Sequence, residues 1–144
     1  MNKPIYLDHN ATTPLDPKVL EEMMPYLQEE FGNPSSKSHP YGWEAENACK
    51  KAREQVATAI GARPKEIIWT SGATESNNIA IMGSLHDYIF GFDKSEKPHM
   101  ITANNEHKAV LDVAKFAEST GIELTIVDAD ENGMVQPERI EEAI

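Results

Sequence analysis

His99-Met100-Ile101-Thr102-Ala103, then Lys108 to Thr120, then Ile122-Glu123-Leu124-Thr125-Ile126-Val127: the fold is decided in this stretch. The outer pieces read as strands and the middle one as a helix. The same order stands upstream. Glu66-Ile67-Ile68-Trp69-Thr70 reads as a strand, Ser71-Gly72-Ala73-Thr74-Glu75 as a turn, and a helix follows from about Ser76 towards Phe90, with Ile79, Ile81, Met82, Leu85 and Ile89 apolar. A polar loop, 91–98, joins the two stretches. Strands that alternate with helices give an α/β layer with a largely parallel sheet.

Nearer the N-terminus, Asp16 caps a helix with Pro17 at its first position and an apolar face of Val19, Leu20, Met23, Met24 and Leu27. Gly32-Asn33-Pro34-Ser35-Ser36 ends it and opens an exposed loop to Pro40. A second helix covers Tyr41 to Ile60. Its stripe of Ala45, Ala48, Cys49, Ala52, Val56, Ala59 and Ile60 calls for close packing, and Gly61 stops it. Ile5-Tyr6-Leu7 reads as a short strand-like piece before the turn-rich Asp8 to Pro14. At the other end, Gln136 to Ile144 reads as a helix entered through Pro137, with no glycine or asparagine cap after Ile144, so the chain is expected to stop inside a helix. Only three clear strands and an uncapped last helix make an isolated chain expected to associate or be poorly stable.

At 144 residues, with 40% apolar and 26% charged side chains, the chain has the composition of one ordinary globular domain. Its net charge of −11, from 24 acidic against 13 basic residues, argues against a nucleic-acid or anionic-membrane surface. One cysteine, Cys49, excludes an intrachain disulfide framework and any cysteine-rich metal motif. On its small-residue stripe Cys49 is expected to be a buried apolar residue. The start, Met1 to Asp8, is too polar for a signal peptide, and no apolar run reaches membrane-spanning length. The expected compartment is the cytoplasm.

Chemistry concentrates in two segments. Thr70-Ser71-Gly72-Ala73-Thr74-Glu75-Ser76-Asn77-Asn78 sets small and hydroxyl residues between a strand and a helix start. Free N–H groups there suit a dianionic phosphate, with the Thr74 hydroxyl as a further donor. A plain helix cap at Ser71, Thr74 or Ser76 explains the same residues. Neither a Walker ending nor a Gly-x-Gly-x-x-Gly spacing is present. The second segment is Asn105-Glu106-His107-Lys108, beyond the carboxyl end of a strand, where an α/β sheet has its ligand crevice. There His107 either stacks on a planar cofactor and moves protons, or simply caps the helix. The other histidines, His9, His39, His86 and His99, show no metal-ligand spacing, and no metal site is expected.

Ile5 to Asp8 with Ala11-Thr12-Thr13-Pro14, then Gly32-Asn33-Pro34, Thr70 to Asn78, and Glu106-His107-Lys108-Ala109-Val110-Leu111-Asp112 together resemble cysteine desulfurases of the NifS/IscS class, in order and spacing, from about Pro4 to Ile144. Gly32 to His39, leading to Gly42-Trp43, is similar to the housekeeping iron–sulfur branch. The resemblance implies a fold-type-I aminotransferase architecture, with this chain as part of the large domain and helices on both faces of the sheet. It implies pyridoxal 5′-phosphate as cofactor, L-cysteine as substrate, a homodimer, and sulfur-acceptor proteins such as an iron–sulfur scaffold. Residues 1–15 match the segment that crosses to the small domain, and 16–144 an incomplete large cofactor-binding domain.

By the same resemblance, Ala73 and Thr74 hold the cofactor phosphate, His107 stacks on the ring and transfers protons, and His9, Asn10 and Ala11 lie near the substrate entrance. The activity implied converts L-cysteine to L-alanine and passes the sulfur to a protein thiol as a persulfide, for iron–sulfur clusters or tRNA thiolation. The family's cofactor-binding lysine, its pyridine-nitrogen aspartate and its mobile cysteine fall later than Ile144. Lys108 matches a helix-start lysine, and Cys49 lies on a helix stripe. The isolated chain is therefore expected to be inactive. Two rivals remain at this point: a selenocysteine lyase-like relative, and a stand-alone, non-catalytic α/β module binding a partner or a phosphate ligand.

Overall fold

A computed structural model describes residues 4–92 and 94–144. Met1, Asn2 and Lys3, from the 1–15 segment and the reading against a signal peptide, lie outside the described residues, as does Asp93 of the polar loop. The chain divides into two compact units, Met1–Ile68 and Trp69–Ile144.

In the first unit, α1 runs Pro17–Gln28 and begins where the Asp16 carboxylate accepts from Lys18 N at 2.7 Å. Such a cap satisfies one of the donors a helix start leaves over. The apolar stripe is real, yet Val19, Leu20, Met23 and Leu27 are exposed and only Met24 is half-buried. Helix α2 runs Pro40–Ile60, entered through His39, whose Nδ1 accepts from Gly42 N at 3.4 Å, and closed by Gly61 in the left-handed region at φ 70°. Its buried residues are Gly42, Ala45 and Ala57. Gly42 is there because the chain needs its bareness: a Cβ would run into the Ser36 carbonyl oxygen, with the carbonyl carbon at 2.8 Å. Trp43 Nε1 then donates to Lys37 O at 2.8 Å, tying the 33–39 loop to the helix.

Three expectations change in this unit. Ile5-Tyr6-Leu7 is not a strand; the Tyr6 hydroxyl gathers the segment by bonding Asp8 O at 2.7 Å and Thr12 Oγ1 at 2.7 Å. Residues 66–70, which run on into the second unit, are not a strand either: Pro64–Glu66 is a 3-10 turn and 67–70 are irregular, with the Ile67 carbonyl accepting from Arg53. A β-prone run becomes a strand only when another backbone pairs with it, and none does so here among the described residues. Cys49 is exposed, not buried: it shares a face of α2 with Gly42 and Ala45, seven and four residues back, but there it lines an open cavity of about 500 Å³ with Tyr26 and Phe31 of the same unit.

In the second unit, the strand-helix-strand reading holds. Strand β1, His99–Ala103, pairs in parallel with β2, Glu123–Val127, in a register running from His99 opposite Glu123 to Ala103 opposite Val127. Helix α5, Lys108–Ser119, is the crossover and supplies most of the core: Val113, Ala114 and Ala117 are buried with Ile122 and Val127. The remaining helices are α3, Ala73–Ser84, α4, His86–Ile89, and α6, Pro137–Ala143. The helix expected from Ser76 to Phe90 thus starts three residues earlier and breaks at Leu85, where φ −100° and ψ −1° leave the helical ladder. Ser84 Oγ bonds back to Ala80 O at 2.7 Å at that break, a competition with the backbone that weakens helix ends. Among the described residues no helix is long and apolar enough to cross a membrane.

Candidate functional site

The carboxyl ends of both strands of the second unit open onto a dense loop layer. Asn104, just past β1, donates from Nδ2 to Asp128 at 2.7 Å and accepts from Ala129 N at 3.0 Å, lacing the end of β1 to the end of β2. Asn105 donates to Gly133 O at 2.9 Å. Asp130 stiffens the far side of this layer, accepting from Asn132 N and Met134 N at 2.9 Å and from Gln136 at 3.0 Å. Those bonds hold its carboxyl below the usual value, with the Met134 N–H the largest cause. The layer gives a fixed base for the next residues, Glu106 and His107.

His107 is the N-cap of α5, with φ −61° and ψ 146°. Its Nδ1 accepts from Ala109 N at 3.1 Å, which puts the lone pair on Nδ1 and leaves the neutral ring its proton on Nε2. Cap and functional base are therefore compatible roles of one side chain, divided between its two nitrogens. Lys108 is occupied: its Nζ lies 2.7 and 2.6 Å from the two Asp112 carboxylate oxygens one turn on.

Ala73 and Thr74 are the first two residues of α3 and both are exposed. The first intrahelical bond is Ser76 N to Gly72 O at 3.1 Å, and no side chain caps this helix. The N–H groups of Ala73, Thr74 and Glu75 thus stand at a positive helix end without an acceptor among the described residues. A Cβ added at Gly72 would meet no atom of the described residues within 4 Å, so the approach to this end is open. Glu75, the acidic residue of the first turn, turns back to Ser71, whose N–H and hydroxyl lower its pKa, the backbone donor more than the side chain.

The two sequence segments do meet. Helices α3 and α5 pack together, and a cavity of about 230 Å³ between them is lined by Thr74, Asn78, Ala109, Asp112, Val113 and Phe116. One wall starts in the first turn of α3, at Thr74, and the other two residues past His107, at Ala109. Asn78, which donates to Thr74 O at 2.8 Å, was visible only as a polar residue at the end of the 70–78 block; its spacing of four from Thr74 was the signal that placed it on the same face. His9, Asn10 and Ala11 belong to the first unit, in an exposed turn closed by Ala11 N to Asp8 O at 3.1 Å, with the His9 ring edge-on to Tyr6 at 5.0 Å. No group of three or more acidic, histidine or cysteine side chains among the described residues is arranged to hold a metal ion.

Comparison with known proteins gives consistent neighbours. The family described as aminotransferase class-V matches residues 5–144. A protein of Dechloromonas aromatica named cysteine desulfurase IscS is 51% identical over 144 residues, covering 100% of this chain and 35% of the relative. A Drosophila melanogaster protein named cysteine desulfurase, mitochondrial, is 52% identical over 142 residues, covering 99% of this chain and 30% of the relative. Among solved structures, a NifS-like protein superposes with a TM-score of 0.84 at 39% identity over 97% of this chain and 37% of its own. SspA in complex with cysteine superposes with a TM-score of 0.81 at 42% identity, covering 96% of this chain and 38% of its own. The chain spans about a third of the length of the curated relatives it matches.

Proposed function

Because the chain belongs to the aminotransferase class-V family, whose cofactor is pyridoxal 5′-phosphate, we propose that the protein is a cysteine desulfurase: L-cysteine becomes L-alanine, and the sulfur passes to a protein thiol as a persulfide. The observation that carries this reading is identity of about half, along the whole chain, to proteins named for that activity. Iron–sulfur cluster assembly or tRNA thiolation is the use we propose for the sulfur, with a scaffold protein as acceptor and the cytoplasm as compartment. The homodimer we propose has support in the exposed apolar face of α1.

The residues present fit the cofactor. An uncapped helix start, an open approach at Gly72 and a hydroxyl at Thr74 are what a phosphate dianion needs. Ala73 and Thr74 would hold that phosphate, and His107 would lie against the ring. Bound there, the cofactor supplies an electron sink for chemistry at the amino carbon of the substrate. His107, with Nδ1 committed to Ala109 N, has Nε2 to hold or deliver a proton. Thr74 and the α3 N–H groups bind and orient; they do not exchange protons. His9, Asn10 and Ala11 we assign to the substrate entrance, within a 1–15 segment that serves a small domain, while 16–144 serves the large one.

The covalent groups we place outside these residues. Lys108 is paired to Asp112, and Cys49, although exposed, sits mid-helix in α2 where it cannot travel to a substrate. The test is L-alanine and persulfide formation from L-cysteine by full-length protein carrying pyridoxal 5′-phosphate. A preference for L-selenocysteine would move the assignment to a selenocysteine lyase-like enzyme. Absence of both activities with cofactor bound would reject the reading in favour of a non-catalytic binding module.

A further inference from the structure

The turn at 70–76 holds four hydroxyls, and their protons are not equally available. Ser71 gives both of its donors to Glu75: Ser71 N lies 2.6 Å and Ser71 Oγ 2.7 Å from Glu75 Oε2. Thr70 Oγ1 and Ser76 Oγ are 2.7 Å apart, and both reach the Gly72 carbonyl, at 3.3 and 3.2 Å. Two hydroxyl protons thus serve three contacts inside one triangle, and neither is left over. A phosphate dianion accepts hydrogen bonds and needs donors. Among the described residues of this turn, the donors that remain at the start of α3 are the N–H groups of Gly72, Ala73, Thr74 and Glu75 and the hydroxyl of Thr74.

We infer that Glu75 is a positioning residue of the cofactor-phosphate site: by engaging both donors of Ser71 it fixes the turn ahead of α3 and reserves the α3 N–H groups and the Thr74 hydroxyl for the phosphate. The inference rests on the pyridoxal 5′-phosphate reading above. A carboxylate in the first turn of an anion-binding helix repels a ligand that it faces, and the two bonds to Ser71 hold the Glu75 carboxylate turned back towards the residue ahead of the helix. The bonds from Ser71, backbone first, lower the Glu75 carboxyl and keep it ionised, so the clamp is in place at neutral pH. Thr70 and Ser76 hold the Gly72 carbonyl from the opposite side of the turn.

The test compares pyridoxal 5′-phosphate with pyridoxal on the full-length protein; contributions of ring and aldehyde are common to both, and the difference reports the phosphate. Glu75→Ala is expected to weaken pyridoxal 5′-phosphate about tenfold and to leave pyridoxal within about twofold. Glu75→Gln keeps an oxygen that accepts from Ser71 and is expected to recover most of the loss. Amide hydrogen exchange at Ser71 reads the clamp with no cofactor present: slow in the parent, fast in Glu75→Ala, slow again in Glu75→Gln. Equal weakening of both ligands, or tighter binding of pyridoxal 5′-phosphate to Glu75→Ala, overturns the inference. So does a Ser71 amide that exchanges alike in all three proteins. A parent protein that holds pyridoxal as tightly as pyridoxal 5′-phosphate removes the phosphate reading itself, and the Ser71 amide then decides the clamp alone.

Discussion

His107 offers a perturbation in which structure and chemistry separate. The side chain caps α5 through Nδ1, 3.1 Å from Ala109 N. Asparagine carries its Oδ1 at the same position along the side chain as histidine carries Nδ1, and it ranks among the strongest N-caps. His107→Asn should therefore keep the cap and lose only the imidazole, whereas His107→Ala loses both. At an exposed helix start the cap contributes about 1 kcal/mol, so His107→Ala should lower unfolding stability by about that amount while His107→Asn stays within about 0.5 kcal/mol of the parent. Turnover should divide differently. Loss of a proton-transfer group costs about 10²–10⁴-fold, and both variants should show it. The assays are urea unfolding, read as a midpoint shift at unchanged slope, and alanine formation by the cofactor-loaded protein. A His107→Asn variant with parental turnover would refute the reasoning, because restoring the cap alone would then have restored the function. Equal stability of His107→Ala and the parent would refute the cap.

Thr74→Val keeps the shape of the cavity wall and removes the one hydroxyl proton of the turn left for the phosphate; it should weaken pyridoxal 5′-phosphate by about 1.5–3 kcal/mol, roughly 10- to 150-fold, measured as the cofactor dissociation constant, and an unchanged constant contradicts the role. The isolated 144-residue chain should form no alanine or sulfide from L-cysteine above free pyridoxal 5′-phosphate, because Lys108 is tied to Asp112 and Cys49 is held mid-helix. Gly42→Ala should destabilise the first unit by about 1–3 kcal/mol or more, since its Cβ would collide with the backbone of Ser36 and not with a side chain free to move; calorimetry showing no loss would mean the 36–42 approach relaxes at little cost. Asp130 has its folded pKa below its usual 3.8, so its contribution is present above that value and is lost as pH falls below it. Asp130→Asn should flatten that acid limb in a pH series of unfolding midpoints, and an unaltered limb would assign it to other carboxylates.

Much of the molecule was settled by local chemistry. Asp16 before Pro17, Gly61 after Ile60, Pro137 opening α6 and the β1-α5-β2 order all follow from properties a residue carries with it: a short acceptor side chain, a missing Cβ, a fixed φ, a period of apolar positions. The donor-rich start of α3 and the placement of His107 beyond β1 were legible for the same reason. What sequence pattern did not decide was anything that needs a second piece of chain. Ile67 and Ile68 have strand-forming side chains, but among the described residues no neighbouring strand pairs with them, and the 64–70 segment settles into a turn and a coil. The stripe containing Cys49 and Val56 has helical spacing, yet Ala45 is its one buried member and α2 otherwise buries Gly42 and Ala57, because burial depends on which neighbour arrives and from which side. The turn at 70–76 divides the same way. Its composition was open to an anion site or a plain helix cap, while the division of its hydroxyls into bonded and unbonded depended on distances between side chains four to six residues apart, which only the folded turn determines.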